Sequence, residues 1–347
     1  MRLVPGRRQF LASGIAGAVA ACGLPAMAQG KPELARLTIA VSGKGAFQHL
    51  PLTIAEQLGY FRAEGLDVEV TDFSGWTRAQ QALLAGNAEV CSDSFEHLIA
   101  LQSRNLAFQC FVLQGRAPQI AMGVSTRAMP NYRAPADLRG RKIGISAPGS
   151  TANLMAHLVL ARAGLSAADV SYIGVGNAAG AIAALRNGQV DAMANSEPVM
   201  TMLEQKGDVR IISDTRTLRG TAAVFGGPMP ATCLYTSSEF IQRHPRTCQA
   251  LANAIVHSLK WLQTAGPSDM IKTVPEAYLL GDRALYLASF ANVREAFSTD
   301  GLVPPDGART ALRVVAGFEP DTGPAKVEPG RLFTNEFARR AKEHFRV

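Results

Sequence analysis

The hydrophobic pattern alternates between a two-residue period and a three-to-four-residue period along most of the chain. In RKIGISAPGSTANLMAHLVLARAG, residues 141–164, Ile143 and Ile145 alternate with polar or small residues, as in a strand. A Pro-Gly pair interrupts this run, and apolar residues then recur at helical spacing. The segment therefore predicts a strand, a turn rich in Gly and Ser, and a helix that is capped by Ser150 or Thr151.

An internal repeat extends the same order of elements along the chain. The segments 67–95 and 169–197 align without a gap when the sequence is shifted by 102 residues. Both predict a strand, a loop, a helix, a Gly turn, a second strand and a polar end. The upstream segment 37–61 matches 141–164 in the same way. We therefore predict two units based on β–α–β, each with a small parallel sheet flanked by helices.

The predicted fold class is α/β, with two lobes that face each other across a cleft. Each lobe is expected to be a small, mainly parallel sheet flanked by helices. Apolar strands predict a two-stranded hinge that crosses between the lobes near 118–127 and 226–236. The first lobe would comprise 34–120 and 232–347, which returns through amphipathic helices, and the second lobe would comprise 121–231.

Polar residues follow the predicted strands, where ligands of open α/β sheets bind. These ends are rich in hydroxyls, amides and Gly, which orient a small polar ligand without reacting with it. The first turn of the helix after Ser150 also leaves N–H groups that favour an anion. From the strand ends we predict ligand contacts by Ser42, Gly43, Asp93, Ser94, Ser146, Ser150, Thr151, Asn177, Asn195 and Glu197.

Four larger side chains extend the predicted site. Trp76 could stack on a planar ligand or pack within its own lobe, and Phe47 is a weaker case of the same kind. Arg116 ends an apolar strand, where it suits a carboxylate or sulfonate, although a solvated loop charge is the alternative. His49 and His97 could reach the cleft, and only His49 is assigned to the site.

Residues 1–28 resemble an export signal. GRRQFL carries the paired Arg of a twin-arginine signal, a short apolar stretch follows, and the small residues before position 29 suit a signal peptidase. We predict cleavage after Ala28. The alternative is a lipoprotein box, VAAC, which would leave a lipid anchor on Cys22. No later segment is apolar for long enough to cross a bilayer.

Charge and motif spacing argue against several functions. The formal charge of +7 falls to +4 once residues 1–28 are removed, since 32 basic and 28 acidic residues remain. The sequence has no basic block interleaved with aromatics, so no nucleic-acid partner is predicted. The cysteines lack CxxC spacing and the histidines lack HxxxH spacing, so neither a metal nor a cofactor is predicted. A nucleophile motif such as GxSxG is missing, and no catalytic residue is predicted.

Several motifs in combination resemble the periplasmic solute-binding proteins of the nitrate/sulfonate/taurine class. These motifs are PLTIAEQLGYFRAEGLDVEV, ALLAGNAEVC, DLRGRKIGIS and the pair Glu197-Pro198. The family also contains proteins of thiamine-precursor synthesis, and the resemblance covers most of residues 36–260. It implies a two-lobed type II periplasmic-binding-protein fold without catalysis. It also implies a periplasmic protein that delivers a small-molecule solute to the membrane permease of an ABC importer. We expect this protein to be a monomer.

The ligand is expected to be a small organic anion: a sulfonate, a nitrate-like ion, a carboxylate or an aromatic acid. Glu197 argues against a purely anionic site unless it binds an amine on the ligand. The alternative is a binder of a thiamine-pyrimidine precursor, or a synthase-like enzyme on the same fold. That branch carries a cysteine-rich motif, whereas CSDSF here holds one cysteine. The export signal also argues against cytosolic biosynthesis.

Overall fold

The computed structural model describes residues 30–73, 75–318 and 326–347. The predicted export signal and the alternative lipid anchor at Cys22 lie outside these residues, so both stay predictions. Within the described ranges, no helix combines the length and the apolar character that crossing a membrane requires.

The described residues form ten strands in two five-stranded sheets. The strands are β1 Arg36–Val41, β2 Asp67–Asp72, β3 Val90–Ser94, β4 Phe108–Leu113, β5 Ile120–Ser125, β6 Lys142–Ile145, β7 Ser171–Gly174, β8 Ala192–Ser196, β9 Val209–Asp214 and β10 Thr232–Ser237. The first sheet has the order β2-β1-β3-β10-β4, and the second has the order β7-β6-β8-β5-β9.

Each sheet contains one strand that runs against the other four. In the first sheet β1 pairs in parallel with β2 and β3, while β10 lies antiparallel between β3 and β4. The second sheet repeats this arrangement, with β6 parallel to β7 and β8, and β5 antiparallel between β8 and β9. The chain thus leaves the first sheet after β4, builds the second sheet and returns as β10.

Helices cover the sheets, as parallel strands require. For example, α3 packs on β1 and β3, and α5 packs on β5 and β8. The helices of the described residues are α1 Leu50–Gln57, α2 Tyr60–Ala63, α3 Trp76–Leu84, α4 His97–Ser103, α5 Thr151–Ala161, α6 Ala179–Arg186, α7 Val199–Gln205, α8 Leu218–Phe225, α9 Ser238–Arg243, α10 Pro245–Thr264, α11 Pro267–Thr273, α12 Arg283–Val293, α13 Pro305–Phe318 and α14 Glu336–Phe345.

The predicted α/β architecture of two small sheets is confirmed. The first copy of the repeat forms β2, α3 and β3, and the second forms β7, α6 and β8. The predicted amphipathic helices near the C-terminus are also present, as α10 and α14. The chain crosses between the sheets twice, between β4 and β5 and between β9 and β10. The exact lobe limits stay a prediction.

The central strands form the core of each sheet. Every residue of β3, β5 and β8 is buried, because helices or loops cover both faces of the sheet. Cys91, Cys110 and Cys233 lie in these sheets as buried free thiols, and Cys248 is buried in α10. Among the described residues, no group of His, Cys, Asp and Glu could hold a metal ion.

Glu33 fastens the segment before β1 to the start of α10. Helix α10 lacks a side-chain cap of its own, and its first N–H groups need acceptors. The Glu33 carboxylate accepts hydrogen bonds from the backbone N–H groups of Arg246 at 3.1 Å and Thr247 at 2.8 Å. Burial acts to raise the pKa of Glu33, but these hydrogen bonds outweigh burial and lower the pKa to about 2.

We predict that Glu33→Gln makes the free energy of unfolding less sensitive to acid. Because the pKa of Glu33 is lowered in the folded state, its contribution is present above the ordinary pKa and is lost as the pH falls toward 2. The variant should lose about 1 kcal/mol at neutral pH, and the difference from the wild type should shrink under acid. Urea unfolding at a series of pH values measures both. Glu328→Gln, at an exposed carboxylate, is the control, and an equal effect in that variant would contradict the prediction.

Candidate functional site

A cavity of about 410 Å³ lies between the carboxyl ends of the two sheets. Its volume is in the range of small-molecule sites. The first wall consists of residues attached to the first sheet: Ser42, Gly43, Gln48, Asp72, Gly75, Trp76, Asp93, Ser94 and His97. The second wall consists of residues attached to the second sheet: Ile120, Ser146, Ala147, Ser150, Thr151, Ala152, Val175, Gly176, Asn177, Ala178, Gly180 and Ser196.

The repeat places equivalent residues on opposite walls. Asp93 and Ser94 end β3, and Asn195 and Ser196 occupy the matching positions at the end of β8. In both copies the acidic or amide oxygen accepts the N–H of the following serine, at 2.8 Å from Asp93 and 2.9 Å from Asn195. The two serines line the cavity from opposite sides. The internal repeat therefore extends from the fold to the site.

Asp93 and His97 form a buried pair in the first wall. His97 Nδ1 lies 3.6 Å from Asp93 Oδ2, and both side chains are less than a tenth exposed. Burial lowers the pKa of His97, but the Asp93 carboxylate outweighs it and raises the pKa above its ordinary value. Although burial raises the pKa of Asp93, His97 and the Ser94 N–H lower it further than burial raises it. Asp93 is therefore a carboxylate at neutral pH.

The second wall presents the beginning of α5. Ser150 caps this helix, and its Oγ accepts the N–H of Asn153, as the sequence predicted. Ser150, Thr151 and Ala152 all line the cavity. A helix N-terminus carries partial positive charge, which favours an electron-rich ligand group.

Polar contacts join the two walls across the cavity. Ser94 Oγ and Thr151 Oγ1 are 2.9 Å apart, and Thr151 also donates to the buried Glu96 carboxyl. The Trp76 indole, which stacks on the His97 ring at 4.3 Å, donates to the Pro148 carbonyl at 2.8 Å. The side-chain amide of Asn177 lies 3.5 Å from the Ser42 carbonyl. These contacts describe a closed arrangement of the two walls.

Two glycines allow the walls to approach this closely. A Cβ at Gly149 would lie 2.9 Å from Trp76 Cζ2, and a Cβ at Gly43 would lie 2.3 Å from Asn177 Nδ2. Both glycines also have positive φ, +73° and +89°, which L side chains rarely adopt. Side chains at these positions would therefore push the walls apart.

The cavity is lined by nine of the fourteen residues that the sequence assigned to the site. These are Ser42, Gly43, Trp76, Asp93, Ser94, Ser146, Ser150, Thr151 and Asn177. They share a position at the end of a strand or at the start of the following helix, which is why the strand-end rule identified them.

Three predicted site residues, Phe47, His49 and Arg116, lie away from the cavity lining. Phe47 is 1% exposed and packs edge-on against Tyr286, with ring centroids 4.6 Å apart. His49 is fully buried, with Nδ1 3.1 Å from Ser92 Oγ. Arg116 Nε donates to the Glu295 carbonyl at 2.9 Å, so its guanidinium stabilises the crossing segment instead of facing the cavity.

Asn195 and Glu197 also lie outside the lining, because both side chains turn into the second sheet. Asn195 is fully buried and donates to the Gly176 carbonyl at 2.9 Å, which positions a loop that does line the cavity. Glu197 is fully buried, where its carboxylate accepts hydrogen bonds from Thr201 and lies 3.2 Å from the Arg216 guanidinium. Burial raises the pKa of Glu197 to about 7 even though Arg216 acts in the opposite direction.

The sequence did not assign several lining residues to the site. Asp72 ends β2 and accepts the N–H groups of Gly43 and Lys44 at 3.0 and 2.8 Å, a position that the strand-end rule could have identified. The sequence placed His97 near the cleft but gave it no role. The structure shows that His97 begins α4 and that its ring pairs there with Asp93. Ser196 was missed although its repeat partner, Ser94, was predicted.

The comparisons with known proteins give the family. The chain belongs to the NMT1/THI5 like family, whose model matches residues 46–266, more than half of the chain. A solved structure from Bordetella bronchiseptica RB50 is 52% identical, covers 91% of this chain and 100% of its own, and superposes with a TM-score of 0.88.

Two more distant proteins are also similar to this chain. The alkanesulfonate-binding protein SsuA of Xanthomonas axonopodis pv. citri, solved with MOPS bound, is 18% identical over 87% of this chain and 99% of its own, with a TM-score of 0.67. The 4-amino-5-hydroxymethyl-2-methylpyrimidine phosphate synthase of Schizosaccharomyces pombe is 25% identical over 249 residues, 70% of this chain and 68% of its own. The predicted type II periplasmic-binding-protein fold is confirmed.

We predict that Gly149→Ala displaces the Trp76 indole from the Pro148 carbonyl. The added Cβ would meet the ring at 2.9 Å, so the indole should become more exposed to water. In a Trp261→Phe background Trp76 is the remaining tryptophan, and its emission should shift to longer wavelength. Gly164→Ala is the matched control, because its φ is +69° but the added Cβ would meet nothing within 4 Å. An unchanged spectrum for Gly149→Ala would contradict the close approach.

We predict that Arg216→Met destabilises the fold through Glu197. The variant leaves a buried carboxylate without its cation, which costs about 3–5 kcal/mol in comparable cases. The loss should be smaller at acidic pH, because the pKa of Glu197 is already raised in the folded state and the neutral acid tolerates burial. Urea unfolding measures the loss, and adding Glu197→Gln should recover part of it. Normal stability with abolished ligand binding would instead assign Glu197 to the ligand.

Proposed function

We propose that this protein is the substrate-binding component of an ATP-driven importer. It captures a small organic solute in the cavity and presents the closed form to a membrane permease. The observation that carries the proposal is the cavity itself, whose two walls come from two sheets joined by two crossing segments. Such a site changes shape when its walls separate, and a ligand that contacts both walls favours the closed form.

The motion is proposed for the lobe limits that the sequence predicted. The first lobe, 34–120 with 232–347, would move against the second lobe, 121–231, about crossings near 118–127 and 226–236. Polar contacts join the walls across the cavity, and hydrogen bonds of this kind contribute about 1 kcal/mol each. A ligand that contacts both walls would add to them and favour the closed form. We further propose that the protein is exported to the periplasm as a monomer, by cleavage after Ala28, with lipidation of Cys22 as the alternative.

The ligand group that faces the second wall is proposed to be electron-rich. A sulfonate, nitrate-like ion, carboxylate or aromatic acid would accept hydrogen bonds from Ser150 and Thr151 and from the N–H groups at the start of α5. SsuA, which shares the fold, is named for alkanesulfonate binding. This similarity supports the proposed binding-protein fold, and the ligand screen below identifies the ligand of this protein.

The match to the Schizosaccharomyces pombe synthase favours a second candidate, a binder of a thiamine-pyrimidine precursor or a synthase-like enzyme. The single cysteine of CSDSF gives little support to an enzyme. Cys91 is fully buried in β3, and burial raises the pKa of its thiol well above the ordinary value. A thiol in that state is a poor nucleophile and a poor metal ligand. We therefore propose a binding protein without catalytic residues.

We predict that the correct solute stabilises the protein and makes it more compact. A thermal-shift screen of sulfonates, nitrate, carboxylates, aromatic acids and pyrimidines should identify it, and small-angle scattering should show a smaller radius of gyration in its presence. Thr151→Val removes the hydroxyl that contacts Ser94 and Glu96, so Kd should rise about tenfold. Thr126→Val, at an exposed hydroxyl bonded to the Gly207 carbonyl, is the control. Binding without compaction would argue against a receptor that closes.

A further inference from the structure

The two walls of the cavity differ in charge. In the first wall the ionisable side chains are Asp72, Asp93 and His97, whereas no ionisable side chain of the described residues lines the second wall. The two copies of the repeat show this difference in charge at one aligned position. The first copy has Asp93 there, and the second copy has the uncharged amide Asn195. The cavity is thus polar at both ends but acidic at one end only.

The second wall offers hydrogen-bond donors instead of charges. Helices α5 and α6 both begin at this wall, as the lining by Thr151, Ala152, Ala178 and Gly180 shows. Their first N–H groups are unpaired within the helix and carry partial positive charge. The Ser196 hydroxyl adds a donor, because Ser196 is 6% exposed and its Oγ has no hydrogen-bond partner among the described residues. This wall is suited to a ligand group that accepts hydrogen bonds.

The first wall holds an acceptor that lacks a donor. Asp93 is 2% exposed, and its Oδ2 has no hydrogen-bond partner within the described part of the chain. His97 Nδ1 is 3.6 Å from Asp93 Oδ2, which is longer than a hydrogen bond. A buried carboxylate oxygen without a donor is costly, so a ligand N–H would relieve it.

The neighbouring charged groups are already engaged with other residues. The Asp72 carboxylate receives the backbone N–H groups of Gly43 and Lys44. The Lys44 ammonium donates to Glu56 at 2.9 Å and does not line the cavity. Asp93 is also paired with His97, but at 3.6 Å the imidazole makes no hydrogen bond to Oδ2, so Asp93 is the lining acid that still lacks a donor.

We propose that the ligand is bipolar, with an amine or other N–H-bearing nitrogen bound to Asp93 and a carboxylate, sulfonate or phosphate group bound at the N-termini of α5 and α6. The inference rests on the proposed function, and it narrows the ligand class. An anion without such a nitrogen would place negative charge near the Asp93 carboxylate and leave Oδ2 without a donor. A simple amine would leave the donors of the second wall without an acceptor.

Two matched sets of probes test both ends of the ligand by titration calorimetry. The first set is taurine, isethionate, which replaces the ammonium group by a hydroxyl, and ethanolamine, which lacks the sulfonate. The second set is 4-(aminomethyl)benzoate, 4-methylbenzoate and 4-methylbenzylamine. In whichever set fits the cavity, the bipolar member should bind at least about tenfold more tightly than either partner, as expected for a charge-assisted hydrogen bond.

Variants of two acids assign the amine to its partner. Asp93→Asn should remove most of the preference for the bipolar probe over the probe that lacks nitrogen, because it loses the charge-assisted hydrogen bond to the former and the charge repulsion toward the latter. Asp67→Asn is the matched control, because it makes the same change of charge on an exposed residue of β2. Circular dichroism and thermal unfolding check that both variants fold.

The outcomes separate this inference from the proposed function. Equal binding of isethionate and taurine, or of 4-methylbenzoate and 4-(aminomethyl)benzoate, would overturn the bipolar ligand but leave a solute receptor intact. An Asp93→Asn variant that retains the full preference would overturn the role of Asp93. If all six probes fail, the ligand retained by protein purified from its own host, identified by native mass spectrometry, decides by whether it carries an N–H-bearing nitrogen. Failure of every solute, the retained ligand included, would overturn the proposed function itself.

Discussion

The rest of the structure depends on two antiparallel strands that follow the crossings between the sheets. The chain enters the second sheet as β5 and returns to the first sheet as β10. The backbone of β10 must pair on both sides, with β3 and β4, and β5 must pair with β8 and β9. Both strands run against their neighbours, so Thr232 pairs with Ser94 and Ile120 with Ser196 at the carboxyl ends of β3 and β8. The chain therefore crosses at the edge of each sheet where the polar strand ends lie. This brings the two edges together and creates the cavity.

Two buried carboxylates near that edge show how differently the fold uses the same chemical group. Glu197 is satisfied by Thr201 and Arg216, so it belongs to the second sheet and stabilises it. Asp93 lines the cavity and accepts one backbone N–H, and its Oδ2 lies 3.6 Å from the His97 imidazole without a hydrogen-bond donor among the described residues. A buried charge with a full set of partners is structural, whereas one with an open position is suited to binding. Asn195 and Ser196 differ in the same way. The Asn195 side chain donates to the Gly176 carbonyl and is structural, whereas Ser196 lines the cavity.

Much of the fold could be predicted from the sequence because its signals are local. Hydrophobic periodicity identified β6 and α10, a cap at Ser150 or Thr151 gave the start of α5 to within one residue, and the repeat gave two equivalent units. The family match over residues 46–266 agrees with the motifs that suggested it. Nine of the predicted residues line the cavity, as the rule that ligands bind at strand ends and helix starts led us to expect. That rule needs only the order of the elements.

The sequence by itself determined the α/β class, the two-sheet organisation and the edge at which a ligand would bind, because period, capping and repetition act over short distances. The tertiary structure alone decided which residues at that edge line the cavity. Glu197 is instead buried against Arg216, nineteen positions along the chain, and Phe47 is packed against Tyr286 in α12. Asp93 lines the cavity, and its Oδ2 lacks a hydrogen-bond donor among the described residues. These outcomes depend on long-range contacts in a low-dielectric interior, where each polar group must find a partner, and no local pattern encodes that choice.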